Sequence, residues 1–380
     1  MTERRLKWLM LALWIVVTIA ASVSPILRHE NNFEIFRSAS TRFAAGQDLY
    51  AASRQHFDLF KYTPTAALLF APFAALPFAF GVLVWNAVNA ATLYQALGRL
   101  LSSRDAMIAG AIVLPEMFGS LQSAQSNVLI AGLIILTFTE LERRHDLRAA
   151  LAVCAGTIIK IFPLAAASFA LFCDKRRRFA MWCAAIGAAI LLAPIAFHGP
   201  SWMLHQYDDW ILVQRVDSGD PGFSFMALMR LWLGVDWPSW PQQLAGALAL
   251  VAPIIFLNEC RADHTWRLRY VASLLIFCVI FNHQSEGPSF VIALAGIGIW
   301  FALARRTWPE WLALVFVLVF TVLASSSLMP RPIRAKLFDV RFKTVPVLVV
   351  WIILQVKLWA TQCSVSHSIH AVHATAVDHS

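Results

Sequence analysis

Long apolar runs recur along the whole chain, and they restrict its possible folds more than any other feature. A run of about 18 or more apolar residues is long enough to cross a bilayer as a helix. The 380 residues are 59% hydrophobic and 14% charged, with a mean hydropathy of +0.64. Helices of a soluble core would carry one polar face, and most of these runs have none. We therefore expect an all-α polytopic membrane protein of roughly ten to thirteen transmembrane helices.

The basic residues indicate how such a chain lies in the membrane. The formal net charge is +9, but Lys and Arg are concentrated in short segments between apolar runs, as is typical of cytoplasmic loops. We therefore expect the bilayer, and no nucleic acid, as a partner. The apolar residues 8–27 follow a basic start and lack a good cleavage site. We expect them to form an uncleaved first helix with a cytoplasmic N-terminus.

This orientation places three longer polar stretches on the extracytoplasmic side. They lie at about residues 28–62, 198–240 and 325–343. We treat residues 1–362 as a single transmembrane domain. Residues 363–380 are polar and contain several histidines, and we expect a disordered cytoplasmic tail there.

Two apolar segments do not fit simple spans. Residues 63–76 are short and framed by prolines, so they predict a re-entrant segment or a broken span. Residues 149–173 lie between two basic loops that should share one side of the membrane. They must therefore form either two short helices or a re-entrant hairpin, with the turn at residues 160–163.

The first polar stretch contains candidate catalytic side chains. Glu34 follows closely on the first apolar run, where its carboxylate could take a proton from an acceptor hydroxyl, or be an ordinary solvated loop acid. Asp48 is a second candidate base in the same stretch. Asn32 and Arg37 are candidates for substrate binding.

Other polar residues lie where apolar runs end, and such residues usually face a polar cavity. Lys61 and Tyr62 precede a proline and could anchor at headgroup level, with the Lys available to a phosphate. Asn86 could line the site or, with Asn89, bond a neighbouring helix. Asn127 belongs to a third polar group at the ends of two runs, with Glu116, Gln122, Gln125 and Ser126.

The last two candidate groups lie in the second half of the chain. His283 and Glu286 share a tight turn between apolar runs, as an acid/base pair or as parts of a capped turn. Arg331 and Arg334 could clamp a lipid phosphate or anchor the chain at the interface.

Recognisable cofactor motifs are missing from the sequence. There is no P-loop and no GxGxxG, and the cysteines show no metal-ligand spacing. We expect no metal site, no disulfide and no cofactor, although the residues leave open whether a divalent cation assists. A membrane enzyme that works outside the cell without a nucleotide needs an activated substrate in the bilayer. A polyprenyl-phosphate-linked sugar meets that requirement.

Several short motifs together resemble a known family. In order along the chain they are NNFEIFRSAS, GQDLY, KYTPTAALLFAPFAALP, WNAVN, QSNVLIAGLII and IKIFPL. Their order and spacing resemble glycosyltransferase family 87, which contains polyprenol-phosphate-mannose-dependent mannosyltransferases of the GT-C class. The resemblance is strongest over about residues 31–165, and it implies a GT-C-like helical bundle in a bacterial inner membrane.

The resemblance also implies a reaction. A hexose, mannose in characterised members, would pass with inversion from a polyprenyl-phosphate donor to a lipid or glycan acceptor on the extracytoplasmic face. An acid in the first outside loop would be the general base, but Asn32 stands where the family has an Asp. The base would then be Glu34, Asp48 or Glu286, or this subgroup has lost the activity.

Two other classes of function stay open from the sequence. A lipid or glycan transporter or flippase would also place amides, acids and a broken helix at membrane depth. A non-catalytic protein on the GT-C scaffold would explain Asn32. Turnover of a lipid-linked sugar separates the enzyme from both. The oligomeric state is not indicated by any motif.

Overall fold

The computed structural model of the chain describes residues 3–28, 32–51, 58–173, 176–217 and 219–361. These residues form helices without any strand, which confirms the all-α class. The expected tail at residues 363–380 lies outside the described residues. The α-helices are α1 Glu3–Arg28, α2 Asn32–Ala44, α3 Pro64–Ala74, α4 Phe78–Leu100, α5 Ser103–Gln122, α6 Asn127–Glu142, α7 Asp146–Ile159, α8 Arg176–Leu192, α9 Ile195–Asp217, α10 Phe225–Leu233, α11 Ser239–Phe256, α12 His264–Ile280, α13 Phe290–Leu303, α14 Trp308–Val317, α15 Arg331–Asp339 and α16 Thr344–Ala360.

The centre of the bundle is α13, which is buried along nearly its whole length between α5 and α12. Small residues allow these backbones to approach closely. A Cβ on Gly296 would lie 2.5 Å from the Ala272 carbonyl oxygen, and one on Gly298 would lie 2.8 Å from that of Ala109. Close backbone approach through small residues is typical of helix packing in membranes.

Several helices are suited to a bilayer. Among the described residues, three are individually long and apolar enough to cross one: Arg5–Arg28, Ser239–Phe256 and Trp308–Ser325. Two bent pairs raise the number to five if each pair is one span. Other helices of the bundle are shorter, such as α7 and α13 with 14 residues each. The membrane class is thus supported, while the expected ten to thirteen spans stay a prediction.

Both irregular apolar segments are broken in the structure. The short α3 meets α4 at an angle of 116°. In residues 149–173, α7 ends at Ile159, Lys160 has an extended backbone, and a 3₁₀ helix runs over Phe162–Phe172. A Cβ on Gly156 would lie 3.0 Å from Cβ of Pro163, so the two helices fold closely together. The break lies at the predicted turn, and both alternatives, two short spans or a re-entrant hairpin, stay open.

The first polar stretch is partly helical rather than a simple loop. Residues 28–62 contain α2, whose Phe33, Phe36 and Ser40 form a buried face. The Phe36 ring stacks on that of Phe70 in α3, with ring centroids 4.2 Å apart. The period of about four between these buried residues is that of an amphipathic helix, so α2 packs on the bundle.

The expectation of no disulfide is wrong at Cys260, which is disulfide-bonded. Cys260 is buried in a short 3₁₀ helix after α11, and its Sγ lies 3.6 Å from the Thr361 carbonyl oxygen beyond α16. Spacing along the sequence could not show that these two chain segments meet.

Candidate functional site

A chain of polar side chains joins three segments at one end of the bundle. The Lys160 ammonium donates to Asn127 Oδ1 at 2.7 Å. The Asn127 amide donates to Gln125 Oε1, and Gln125 Nε2 donates to Glu286 Oε2 at 2.6 Å. Gln125 and Asn127 are buried, whereas Glu286 is exposed. We call this chain of four residues the relay, and the end of the bundle where it lies the site end.

Helix ends place the relay. Asn127 is the first residue of α6, and Lys160 directly follows the last residue of α7. Glu286 ends the turn between α12 and α13. The extended backbone at Lys160 interrupts an apolar segment, so the ammonium has polar partners where a continuous helix would have faced it to hydrocarbon.

A second polar cluster lies beside the relay. Lys61 Nζ is 2.8 Å from Asp58 and 2.7 Å from Asp217, whose other carboxylate oxygen accepts from Gln284 Nε2 at 2.9 Å. Burial alone would lower the pKa of Lys61, but the hydrogen bonds to Asp217 and Asp58 outweigh it and raise that pKa above its ordinary value. Lys61 is therefore a permanent cation that joins α9 to the segment before α3.

The two clusters are close enough to act on one another. Glu286 and Lys61 both affect Lys160 electrostatically. Glu286 also lies close enough to the Tyr62 side chain to affect it electrostatically. The segment before α3, which carries Lys61 and Tyr62, is also bound to α9, because Gln214 Nε2 donates to the Lys61 carbonyl oxygen at 2.7 Å.

A buried ion pair supports the same turn from behind. Lys343 Nζ lies 3.0 Å from both carboxylate oxygens of Glu116 and donates to the Gly287 carbonyl oxygen at 3.1 Å. The two side chains are 8% and 7% exposed. The pair fixes the residue that follows Glu286, so it holds the carboxylate end of the relay in place.

This arrangement can bind an anion beside a carboxylate. The Lys160 ammonium is held by a neutral amide and not by a carboxylate, so its charge and its remaining N–H groups are left for a phosphate oxygen. Glu286 supplies a carboxylate that is positioned through Gln125. Among the described residues, no group of three His, Cys, Asp or Glu is arranged to hold a metal ion.

Five predicted site residues belong to this region or border it. Lys61, Tyr62, Asn127 and Glu286 are brought together as described. His283 lies three residues before Glu286, and its Nδ1 is 3.1 Å from Gln243 Nε2. Burial lowers the pKa of His283 below its ordinary value, against the attraction of Asp217.

The two other candidate bases have different surroundings. Glu34 is half-buried in the first turn of α2, and it has an interaction with another residue of the structure. Asp48 Oδ1 accepts from the Tyr50 backbone N–H at 2.8 Å, as in an Asx turn. No hydrogen bond or ion pair among the described residues joins either acid to the relay.

Two predicted amides mainly hold helices together. Asn86 Nδ2 donates to Ser22 Oγ at 3.0 Å and to the Leu121 carbonyl oxygen at 3.1 Å, which ties α4 to α1 and α5. Asn32 Nδ2 donates to the Ser123 carbonyl oxygen at 2.9 Å, which ties α2 to the turn before α6. Of the two roles that the sequence allowed for Asn86, these contacts favour the bond to neighbouring helices.

The predicted arginines lie apart from the relay. The Arg37 guanidinium lies over the Phe78 ring, 5.9 Å from its centroid. Arg331 and Arg334 are on α15, which has no buried residue, and Arg334 Nη1 donates to the Ser326 carbonyl oxygen at 3.3 Å. In the described residues, no hydrogen bond or ion pair joins them to Lys160 or Lys61.

Sequence reasoning missed several members of the site. Lys160 was assigned only to a turn, although one lysine inside 25 apolar residues is a signal for a polar site. Asp58, Asp217 and Lys343 carried no such signal, because each lies in a polar stretch where charges are ordinary. The partners of Asp217 and Lys343 are distant in sequence, so only the fold shows those two pairs.

The sequence model of glycosyltransferase family 87 matches residues 60–281, more than half of the chain. The match includes Lys61, Asn127 and Lys160, and it ends shortly before Glu286. It begins after α2, so the stretch with Asn32 and Glu34 lies outside it. No curated protein matches the chain.

Proposed function

The chain belongs to glycosyltransferase family 87, and we propose that it transfers a hexose, mannose, from a polyprenyl-phosphate donor. The acceptor is a lipid or glycan, and the reaction takes place on the extracytoplasmic face of the inner membrane. The observation that supports this most is the relay. It anchors a lysine beside a carboxylate at the end of an apolar bundle, where a lipid-linked phosphate can reach both.

The donor phosphate is bound by Lys160 and Lys61 in this proposal. The phosphate of a lipid-linked sugar stays at the headgroup level while its chain stays in hydrocarbon. Lys160 is anchored through Asn127 and keeps further donor hydrogens for a phosphate oxygen, because an ammonium has three. Lys61 can also donate to the phosphate through its remaining N–H, while Asp58 and Asp217 offset its positive charge.

Glu286 is the proposed general base. The acceptor hydroxyl gives its proton to the carboxylate, and its oxygen attacks C1 of the sugar from the face opposite the phosphate. The bond between C1 and the phosphate oxygen breaks, and polyprenyl phosphate leaves with the electron pair. Attack from the opposite face inverts the configuration at C1. Lys160 and Lys61 stabilise the charge that grows on the leaving phosphate.

Glu34 is the other candidate base, since its place near the first helix end is the one that the family resemblance implies. Asp48 is the third candidate. Its Oδ1 accepts the Tyr50 backbone N–H, and an Asn side chain can accept the same hydrogen bond, so Asp48→Asn removes the charge and keeps the turn.

Release of polyprenyl phosphate from polyprenyl-phosphate-mannose tests the proposal. The purified protein is placed in liposomes with a lipid extract of its host as acceptor source. We expect turnover by the wild type and a loss of about 100-fold or more in Glu286→Gln, the usual effect of removing a general base. Glu34→Gln and Asp48→Asn should keep most activity. Loss in Glu34→Gln instead would move the base to α2.

If polyprenyl-phosphate-mannose is not turned over, a second lipid-linked sugar is tested. If polyprenyl-phosphate-glucose is also inert, the enzymatic proposal fails. A non-catalytic protein on this scaffold then becomes the better account, and Asn32 would be its sequence mark.

A further inference from the structure

A cavity of about 420 Å³ lies next to the relay and is separate from it. Its wall consists of residues from α10, from the connecting residues 235–238 and from the start of α11, together with Gly219, Pro221 and His283. The volume is within the range of about 300–1,000 Å³ of small-molecule sites. His283 belongs to the turn that carries Glu286, so a molecule in this cavity would lie beside the proposed base.

Two exposed indoles line this cavity. Trp237 is 67% exposed and Trp240 is 66% exposed, although indole rings are usually largely buried. The face of an indole carries a partial negative charge, and the polarised C–H bonds of a sugar ring pack well on such a face. Within the described residues, about two thirds of each indole residue is exposed, which leaves a surface that a sugar ring can pack on.

The polar groups of the cavity suit hydroxyl groups. Arg230 Nε lies 3.3 Å from Asp236 Oδ1, and the side chains are 52% and 79% exposed. A pair so exposed contributes little to folding. The guanidinium can donate to hydroxyl oxygens, and the carboxylate can accept from hydroxyl hydrogens. The Gln243 amide oxygen can also accept, while its Nε2 already contacts the Phe281 carbonyl oxygen and His283 Nδ1.

The charge balance separates this cavity from the phosphate site. Arg230 and Asp236 cancel, and His283, the third titratable residue of the wall, is kept neutral at neutral pH by a pKa below its ordinary value. A neutral lining is poor for a phosphate and good for an uncharged polyol. The relay differs because the Lys160 ammonium is held by the neutral amide of Asn127, so its charge is left for a phosphate.

We propose that this cavity, which we call the Trp237–Trp240 cavity, binds the saccharide part of the acceptor. The proposal rests on the proposed function, because it names the substrate class that meets the donor at Glu286. It implies that the acceptor carries at least one sugar ring. It also assigns Trp237 and Trp240 to specificity for the acceptor, while Lys160 and Lys61 serve the donor.

Direct binding tests the proposal without any turnover. The full chain in nanodiscs is studied by saturation-transfer NMR with a panel of methyl hexopyranosides and methyl disaccharides, and no donor is present. We expect a signal for at least one saccharide that is lost in Trp237→Ala and in Trp240→Ala. Trp237→Phe and Trp240→Phe should keep part of it, because an aromatic face remains. Thermal unfolding of each variant shows that it is folded.

A matched control comes from another exposed indole. Trp308 is 77% exposed and does not line the cavity, so Trp308→Ala should keep the signal. Absence of a signal for the whole panel, or a signal that survives in Trp237→Ala and Trp240→Ala, would overturn the proposal. The two tryptophans would then be ordinary interface anchors.

The donor assay distinguishes this proposal from the proposed function. If saccharide binding depends on the two indoles but no lipid-linked sugar is turned over, the transferase proposal fails and the binding site stands. If the donor is turned over and no saccharide binds, the cavity proposal fails and the transferase stands.

Discussion

The two ends of the bundle both carry charges, but they use them differently. At the end where α4, α6 and α16 finish, ion pairs are local clamps between helix ends. Arg99 lies 2.7 Å from Glu140, and Lys357 pairs with Glu310, which also caps α14. The cation is often well exposed, as in Arg178 at 66% beside Asp146. These pairs connect helix ends, and in each of them the carboxylate neutralises the cation.

At the site end, amides join a cation to a carboxylate. The relay runs from Lys160 to Glu286 through two buried amides, and Glu286 is 161 residues from Gln125. Buried polar networks of this kind fix one geometry, because an unpaired member is costly. Charged residues alone therefore do not identify a site in this protein. The distinguishing feature is Lys160, a cation whose partner is a neutral amide, so its charge is left for a ligand.

The largest difference between the two ends should be in stability, when one cation is replaced at each end. Lys343→Met leaves Glu116 buried without its partner, and we expect a loss of about 3–5 kcal/mol in the free energy of unfolding. Arg178→Met removes an exposed partner and should cost about 0–1 kcal/mol. Thermal unfolding in detergent measures both losses. Equal losses would show that the two ion pairs contribute alike and would contradict this prediction. The double variant Lys343→Met/Glu116→Leu should recover part of the loss.

A smaller effect should follow from breaking the relay at an amide. Asn127→Ala removes the acceptor of Lys160, and hydrogen bonds to charged groups contribute about 1.5–3 kcal/mol. We expect kcat for donor turnover per folded molecule to fall by about 10- to 100-fold, together with a loss of about 1.5–3 kcal/mol in the free energy of unfolding. Asn89→Ala is the matched control, since Asn89 is as deeply buried and, among the described residues, bonds the backbones of Trp85 and Leu129. If Asn127→Ala kept its turnover and lost only stability, the relay would serve folding and not the reaction.

His283 should give the site end a pH dependence of its own. Its pKa is lowered by burial, so the unfolded chain takes up a proton at this residue before the folded one does. Stability should therefore fall as the pH falls through the ordinary histidine value of about 6.5. We expect the unfolding temperature of His283→Gln to fall less than that of the wild type between about pH 7.5 and pH 5.5. Identical curves would contradict this.

The smallest effect is expected at the arginines of α15. Arg331→Ala and Arg334→Ala change exposed or half-exposed charges that have no contact with the relay. Donor turnover should stay within about fivefold of the wild type, which corresponds to about 1 kcal/mol. A loss comparable to that of Asn127→Ala would return them to the phosphate site, as the sequence suggested.

The sequence predicted the fold class and the irregular segments well. Apolar runs without a polar face indicated membrane helices, and two basic loops on one side required a break near Lys160. Both conclusions rest on local rules of charge and hydrocarbon. The helix α2 was missed, because its apolar face repeats about every four residues within an otherwise polar stretch.

The site could be predicted only in part. Asn127 and Glu286 were selected because amides and acids are rare where apolar runs end. Their connection through Gln125 depends on α6 and α13 starting at the same end of the bundle, which no spacing shows. Asp217 was missed for the same reason, since its partner Lys61 is on a different polar stretch. The cavity at Trp237 and Trp240 also exists only in the folded chain.

The measurement that tests the central claim most directly compares two lysines of opposite ends. Lys160→Met and Lys357→Met are assayed for release of polyprenyl phosphate from polyprenyl-phosphate-mannose in liposomes, with unfolding temperatures for both. We predict that Lys160→Met lowers kcat by about 100-fold, the usual effect of removing one donor to a developing charge, and Lys160→Arg keeps part of the rate. Lys357→Met should lower stability and leave the rate per folded molecule unchanged. Equal rates for the two Met variants would contradict the assignment of the site to this end of the bundle.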